Sequence, residues 1–239
     1  MHPTKKDARI AGLLYLLMAI PGPFSLMYVP GKLIVSGNAA ATANNIMAHE
    51  MLFRLSILGI LVSGIGWLVL ALALYRLFSG VDKAHASLLV IFVAVSVAIS
   101  YLVELNQIGA LILLRGGDFL AVFDKPQREA LAYLFIKLHG QGITINEMFW
   151  GLWLIPFGWL VIKSRFLPRI LGAWLLVNGL AYMAISFTGL LFPPYGAVVF
   201  NKAFPILLGE LAIMFWLLIR GLKENPAAAT ISERAAAAA

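Results

Sequence analysis

Six nearly unbroken apolar runs dominate this 239-residue chain, at 10–29, 52–78, 86–114, 143–162, 167–191 and 197–222. A helix needs about 20 mostly apolar residues to cross roughly 30 Å of hydrocarbon, and each run is long enough. Hydrocarbon leaves no water to satisfy backbone N–H and C=O groups, so only helices and closed barrels can cross it. The strict apolar/polar alternation of barrel strands is absent. The expected fold class is therefore all-α, a polytopic membrane protein with a bundle of six transmembrane helices and short amphipathic helices on the outer side. One domain is expected over 1–224, followed by a mobile Ala-rich tail over 225–239.

Composition supports the same class. The chain is 62% hydrophobic and 12% charged, where soluble domains have roughly 45–50% and about 25%. It has no Cys, which excludes disulfide scaffolds, thiolate nucleophiles and Cys-ligated zinc or iron–sulfur centres. The net charge of +7 does not indicate nucleic acid, because Lys and Arg sit at span ends and not in a patch. With both termini cytoplasmic, the inner face collects eleven of the eighteen Lys and Arg and four acids, and so the whole net charge. That asymmetry predicts an N-in, C-in topology. The first span has a basic start, but Pro21-Gly22-Pro23 interrupts it and the small residues at 39–43 lie well beyond it, so signal cleavage is not expected.

Local signals refine the outline. Pro21-Gly22-Pro23 is expected to kink or interrupt the first span, and Pro156 and Pro205 the fourth and sixth. Pro168 suits a first helical turn, and Pro193-Pro194 blocks continuation after the fifth span. Asn38 reads as an N-cap for a short helix through 45. Asp124 with Gln127 resembles a capping box. The stretch 127–138 is amphipathic and is expected to lie on the outer leaflet or cap the bundle. Gly140-Gln141-Gly142 is expected to separate it from the fourth span, since one helix over 125–163 would be about 58 Å long. The segments His49–Phe53 and Asn146–Trp150 echo each other, each with an acid at its second position, which raises the question of a repeat.

Polar side chains inside the spans carry the functional reading, because ionisable groups at membrane depth are costly and face the bundle interior or water. Ser96, Ser100, Glu104 and Gln107 form one stripe on the third span. Asn146 and Glu147 lie on the fourth, with His139 just above, and Asn178 on the fifth. Arg54 opens the second span, four residues after Glu50. The sixth carries Lys202 and, near its middle, Glu210. The candidate ligand-binding residues are Arg54, Glu104, Gln107, Asn146, Glu147, Lys202 and Glu210, expected to line one polar chamber in the outer half. The structural alternative is that they only fix helix register, which is the favoured reading for Ser96, Ser100 and Asn178. Trp150, Trp153 and Trp159 read as interface anchors before they read as a stacking wall. Gly59, Ser63 and Gly66 suit close helix packing.

No metal and no cofactor is expected. His49 and His139 fit no spaced metal motif, and no G-x-S-x-G, P-loop or G-x-G-x-x-G is present. No catalytic residue can be named.

The run 151–172, with Pro156, Gly158, Lys163, Arg165, Pro168 and Gly172, resembles the signature of an uncharacterised bacterial membrane family, Domain of Unknown Function 4386. Arg9 through Tyr15, residues 39–46 and the stretch at Arg54 resemble it too. The resemblance implies a multi-helix bacterial inner-membrane protein and supplies no active-site residues.

Three functions follow from different classes. The first is binding or transport of a small polar molecule, ion or lipid head group in the outer-half pocket. The second is an accessory subunit without its own ligand, packed on a membrane-protein partner or a second copy. The third is an intramembrane lipid-modifying enzyme with a carboxylate or His as base. The expected partners are the lipid bilayer and such a small ligand or lipid, with no nucleic acid.

Overall fold

A computed structural model describes residues 4–222, so the tail expected over 225–239 lies outside the described residues. Among those residues six helices are long and apolar enough to cross a membrane. In chain order the helices are α1 (Lys5–Leu33), a short α2 (Ala39–Ala48), α3 (Glu50–Phe78), α4 (Lys83–Arg115), α5 (Lys125–Ser164), α6 (Arg169–Leu191) and α7 (Pro193–Arg220). The long helices begin before their apolar runs because capping residues stand several positions upstream. The Thr4 hydroxyl accepts from the Asp7 backbone N–H in a capping box. Asn38 caps α2 through the Ala41 N–H, and Asp82 caps α4 through that of His85. Asp124 and Gln127 form the reciprocal capping box of α5.

The two ends of the described residues lie on one face of the bundle. Gly221 packs against the Lys5 backbone, and Lys163 donates to Asp82 at 2.8 Å, tying the α3–α4 turn to the end of α5. The Lys163 ammonium beside Asp82, helped by the His85 N–H, holds that carboxyl well below the usual carboxylate range. On the opposite face lie α2, the 116–124 turn and the start of α5.

The stretch 127–138 is neither a separate surface helix nor divided from the fourth span. It forms the first turns of an unbroken 40-residue α5, about 60 Å long at 1.5 Å per residue and so well over a membrane's thickness. Two glycines inside a helix cost only about 1 kcal/mol each relative to Ala, less than the capping box and the packing on α4 supply. Gly142 marks close approach, since a Cβ there would run into Val103 of α4. Ala132 and Ile136 join a core with Val29, Leu33, Phe53 and Leu111 on the face away from the termini. A second core on the terminal side holds Ala11, Leu74, Phe78, Leu89, Phe157 and Leu217. Between these two apolar cores run Ser25, Ser56, Ser96, Glu104, Gln107 and Asn146, all buried.

Helices α5 and α6 pack backbone to backbone. Gly151 and Gly158 face Gly179 and Gly172 in antiparallel register. A Cβ on Gly158 would stand 2.7 Å from the Gly172 carbonyl oxygen, one on Gly172 2.6 Å from that of Gly158, and one on Gly179 2.8 Å from that of Gly151. Such small-residue seams drive association where lipid tails remove any hydrophobic gain between helices. Ile65, Leu102 and Leu180 stay exposed, as befits an outer surface that meets hydrocarbon.

Two of the three helices with internal prolines are irregular. In α1 the Pro21–Pro23 segment gives way to a π-helical stretch, Phe24–Tyr28, where the Ser25 hydroxyl donates to the Ser56 carbonyl of α3 at 3.0 Å. In α7, Pro205 is followed by a break at Leu208, and helix resumes at Gly209. Pro156, by contrast, is absorbed within α5.

Candidate functional site

The α4 stripe pairs with α5, leaving Glu104 Oε2 buried without a hydrogen-bond partner. The Asn146 amide donates to the Ser100 hydroxyl at 2.8 Å and the Ser96 carbonyl at 3.2 Å, while the Ser96 hydroxyl donates to Asn146 Oδ1 at 3.0 Å. Two turns nearer the start of α5, His139 Nε2 lies 3.1 Å from Glu104 Oε1 and 2.9 Å from Gln107 Nε2. His139 and Gln107 border a cavity of about 20 Å³ beneath Pro30 and Phe53. That is room for one water, which needs roughly 10–15 Å³.

A second polar group forms around the break in α7. At the break α6 supplies side-chain donors to the carbonyls of Ile206 and Leu207. Trp174 Nε1 reaches the first at 2.9 Å and Asn178 Nδ2 the second at 3.1 Å. Glu210 sits one residue past the restart of helix at Gly209, where its carboxyl accepts from the Tyr15 hydroxyl of α1 at 2.6 Å. Tyr182 of α6 lies close to the same carboxyl. Tyr15 is held edge-on by Trp67 of α3, ring centroids 5.3 Å apart, and abuts Trp153 of α5 at 6.1 Å. Trp150 meets Tyr182 edge-on at 5.8 Å. Glu147 lies one turn before Trp150 on α5. Among the described residues neither Glu147 nor Glu210 has an ion-pair partner.

Five spans thus converge on two acids and a set of aromatic rings. Measured along each helix from the terminal face at 1.5 Å per residue, Glu210, Tyr182 and Glu147 stand roughly 15, 20 and 25 Å deep. They are therefore strung along the membrane normal. Among the described residues no group of three or more His, Cys, Asp or Glu could hold a metal ion.

A family model described as "Domain of unknown function (DUF4386)" matches residues 10–221. The chain belongs to the DUF4386 family. No curated protein and no solved structure matches it.

The polar residues singled out in this DUF4386 chain fall into separate places. Glu104, Gln107 and Asn146 face α5 from one side, or α4 from the other. Glu147, adjacent to Asn146, is turned about 100° around the helix toward α6. Arg54 does not reach Glu104. Its Nε donates to Glu50 at 2.6 Å, and Arg115 Nη2 joins the same oxygen at 2.8 Å. Lys202 is exposed on α7 and makes no ion pair among the described residues. Lys137 lies over the Tyr133 ring. The two echoed segments also part company, since Glu50 opens α3 whereas Glu147 lies deep within α5.

The structure adds Tyr15, Tyr182 and Trp67 around Glu210, His139 beside Glu104, and Arg115 beside Arg54. Only His139 left a usable mark in the sequence, as a titratable group just above a polar stripe. Tyr15, Trp67 and Tyr182 sit in apolar runs and read there as core or interface residues.

Proposed function

We propose that this DUF4386 member is a solute-handling membrane protein whose working ion is a proton exchanged at Glu210, with Tyr182 and Glu147 continuing the path toward the opposite face. One observation carries this reading. Glu210 sits at a break in a crossing helix, hydrogen-bonded by Tyr15 and close to Tyr182, with no cationic side chain paired to it among the described residues. A charged side chain at membrane depth costs at least about 2.5–3.5 kcal/mol, so an unpaired acid there gains by binding a cation. Acids at interrupted helices are a recurring device for coupling-ion sites. The Tyr15 hydroxyl fixes the carboxyl and can pass a proton on, which a purely structural acid would not need.

The excess of Lys and Arg on the terminal face supports placing that face in the cytoplasm. The bacterial inner membrane implied by the resemblance is the membrane we assign.

Purified protein in liposomes with a trapped pH-sensitive dye tests the reading under an imposed potential. The wild type should acidify or alkalinise the lumen faster than empty liposomes. Glu210→Gln should abolish the flux, while Tyr15→Phe, which keeps the ring, should slow it. Infrared titration of the carboxyl band reads the same site without needing transport. If neither flux nor a titrating Glu210 band distinguishes wild type from Glu210→Gln, the accessory-subunit reading replaces this one.

A further inference from the structure

Helices α3 and α4 leave a groove of about 380 Å³ between them. Its walls are Ile57, Leu58 and Leu61 from α3 and Ile108, Leu111 and Ile112 from α4. Within each helix these residues are spaced as one face, at i, i+1, i+4 and i, i+3, i+4. Arg54 stands one turn before Ile57 and Arg115 one turn after Ile112, so the two arginines close the groove at the end away from the termini. From Leu61 to Arg54 the groove runs roughly 10 Å along α3, comparable with the half-thickness of about 15 Å that one leaflet's chains fill.

The arginines are arranged in an uncommon way. Arg54 Nε donates to one oxygen of Glu50 at 2.6 Å, and Arg115 Nη2 pairs with the same oxygen at 2.8 Å. One carboxylate thus holds two guanidinium groups, leaving one net positive charge. Each guanidinium has five N–H donors and spends a single one on Glu50. Their side chains remain 45% and 57% exposed, so the remaining donors are accessible. Arg128 packs over Gly116, next to Arg115, and adds a third cation at the same level. Glu50 therefore acts as a spacer that keeps two guanidinium forks above the groove and stops them from extending away as free arginines do.

We propose that this groove binds one acyl chain of an anionic phospholipid, with the lipid phosphate clamped by Arg54 and Arg115. Planar guanidinium forks bind phosphate oxygens in pairs, and such charge-assisted bonds are about twice as strong as neutral ones. Apolar walls below a cationic rim match a lipid in both of its parts. A soluble phosphate matches only the rim, and a zwitterionic lipid brings its own compensating ammonium. The site lies apart from Glu210 and is independent of proton exchange there.

Native mass spectrometry of the protein released from mixed nanodiscs provides the test, with phosphatidylglycerol and phosphatidylcholine of identical chains present in equal amounts. Retention of phosphatidylglycerol should exceed that of phosphatidylcholine by about tenfold, a difference typical of one or two charge-assisted hydrogen bonds. Arg115→Gln should bring the two lipids close to parity. Leu58→Trp, which fills the groove and keeps both arginines, should lower retention of phosphatidylglycerol as well. Arg115→Lys, which keeps the cation but loses the planar fork, should retain part of the preference, and thermal unfolding of each variant in detergent controls for loss of fold. Glycerol phosphate added at the lipid's concentration should not displace phosphatidylglycerol. Equal retention of the two lipids by the wild type, an unchanged ratio in Arg115→Gln, or full displacement by glycerol phosphate would each overturn the assignment.

Discussion

Asn146 has every polar atom of its amide engaged and is fully buried, with Ser96 and Ser100 across the α4–α5 interface as its partners. A buried amide with no donor or acceptor left over is fitted to holding two helices in register and has nothing to offer a ligand. Asn146→Ala strands the hydroxyls of both serines, and an unsatisfied buried group costs about 1–3 kcal/mol. Chemical or thermal unfolding in detergent should show a loss of that size, with a clear coupling energy to Ser100→Ala in a double-mutant cycle. An additive cycle, or a stable Asn146→Ala protein that has lost proton exchange, would return Asn146 to the functional group. Glu147 next to it behaves oppositely, since it turns to another helix and finds no counter-charge among the described residues. The sequence presents these neighbours as one polar pair. The 100° step between consecutive helical residues separates them, and which face meets which helix depends on packing that no single span encodes.

At the scale of the helix, what could be read in advance was what is local. Apolar runs mark the spans because hydrocarbon selects for them residue by residue. Asn38 and Asp124 mark helix starts because a cap needs only its own next three residues. The continuity of α5 through Gly140 and Gly142 was not legible, because glycine serves both to end a helix and to let another helix approach. The two glycines differ in this respect, and that difference can be measured. Nothing stands near a Cβ at Gly140, while one at Gly158 would lie 2.7 Å from the Gly172 carbonyl oxygen. Gly140→Ala should leave stability unchanged or raise it by about 0.5–1 kcal/mol, the helix-propensity gain. Gly158→Ala should destabilise, and Gly158→Leu should do so more strongly, since overpacking costs typically about 1–3 kcal/mol and often more against backbone. Equal effects at 140 and 158 would mean that the glycine seam does not hold α5 against α6.

The whole molecule has two unequal faces. The terminal face is closed by short turns, with Asp82 bound to Lys163. On the other face α5, 40 residues long, rises past the membrane with α2 against its first turns. The acids, tyrosines and arginines discussed above lie between these faces or toward the second, so the direction of any proton path and the leaflet of any bound lipid both depend on orientation. The orientation we propose rests on the Lys and Arg concentrated on the terminal face, since such residues favour the cytoplasmic side during insertion. The absence of Cys from the chain makes the inference directly testable. Gly80, in the exposed α3–α4 turn, and Val122, 81% exposed in the α4–α5 turn, are single sites for an introduced thiol. In intact cells with a permeable outer barrier, a membrane-impermeant maleimide should label Val122→Cys at once and Gly80→Cys only after the inner membrane is opened. The reverse pattern would invert the topology, moving the Arg54–Arg115 groove to the cytoplasmic leaflet and Glu210 to the half nearer the outside. Labelling of both sites in intact cells would mean that α4 does not cross, and the six-span arrangement would fall with it.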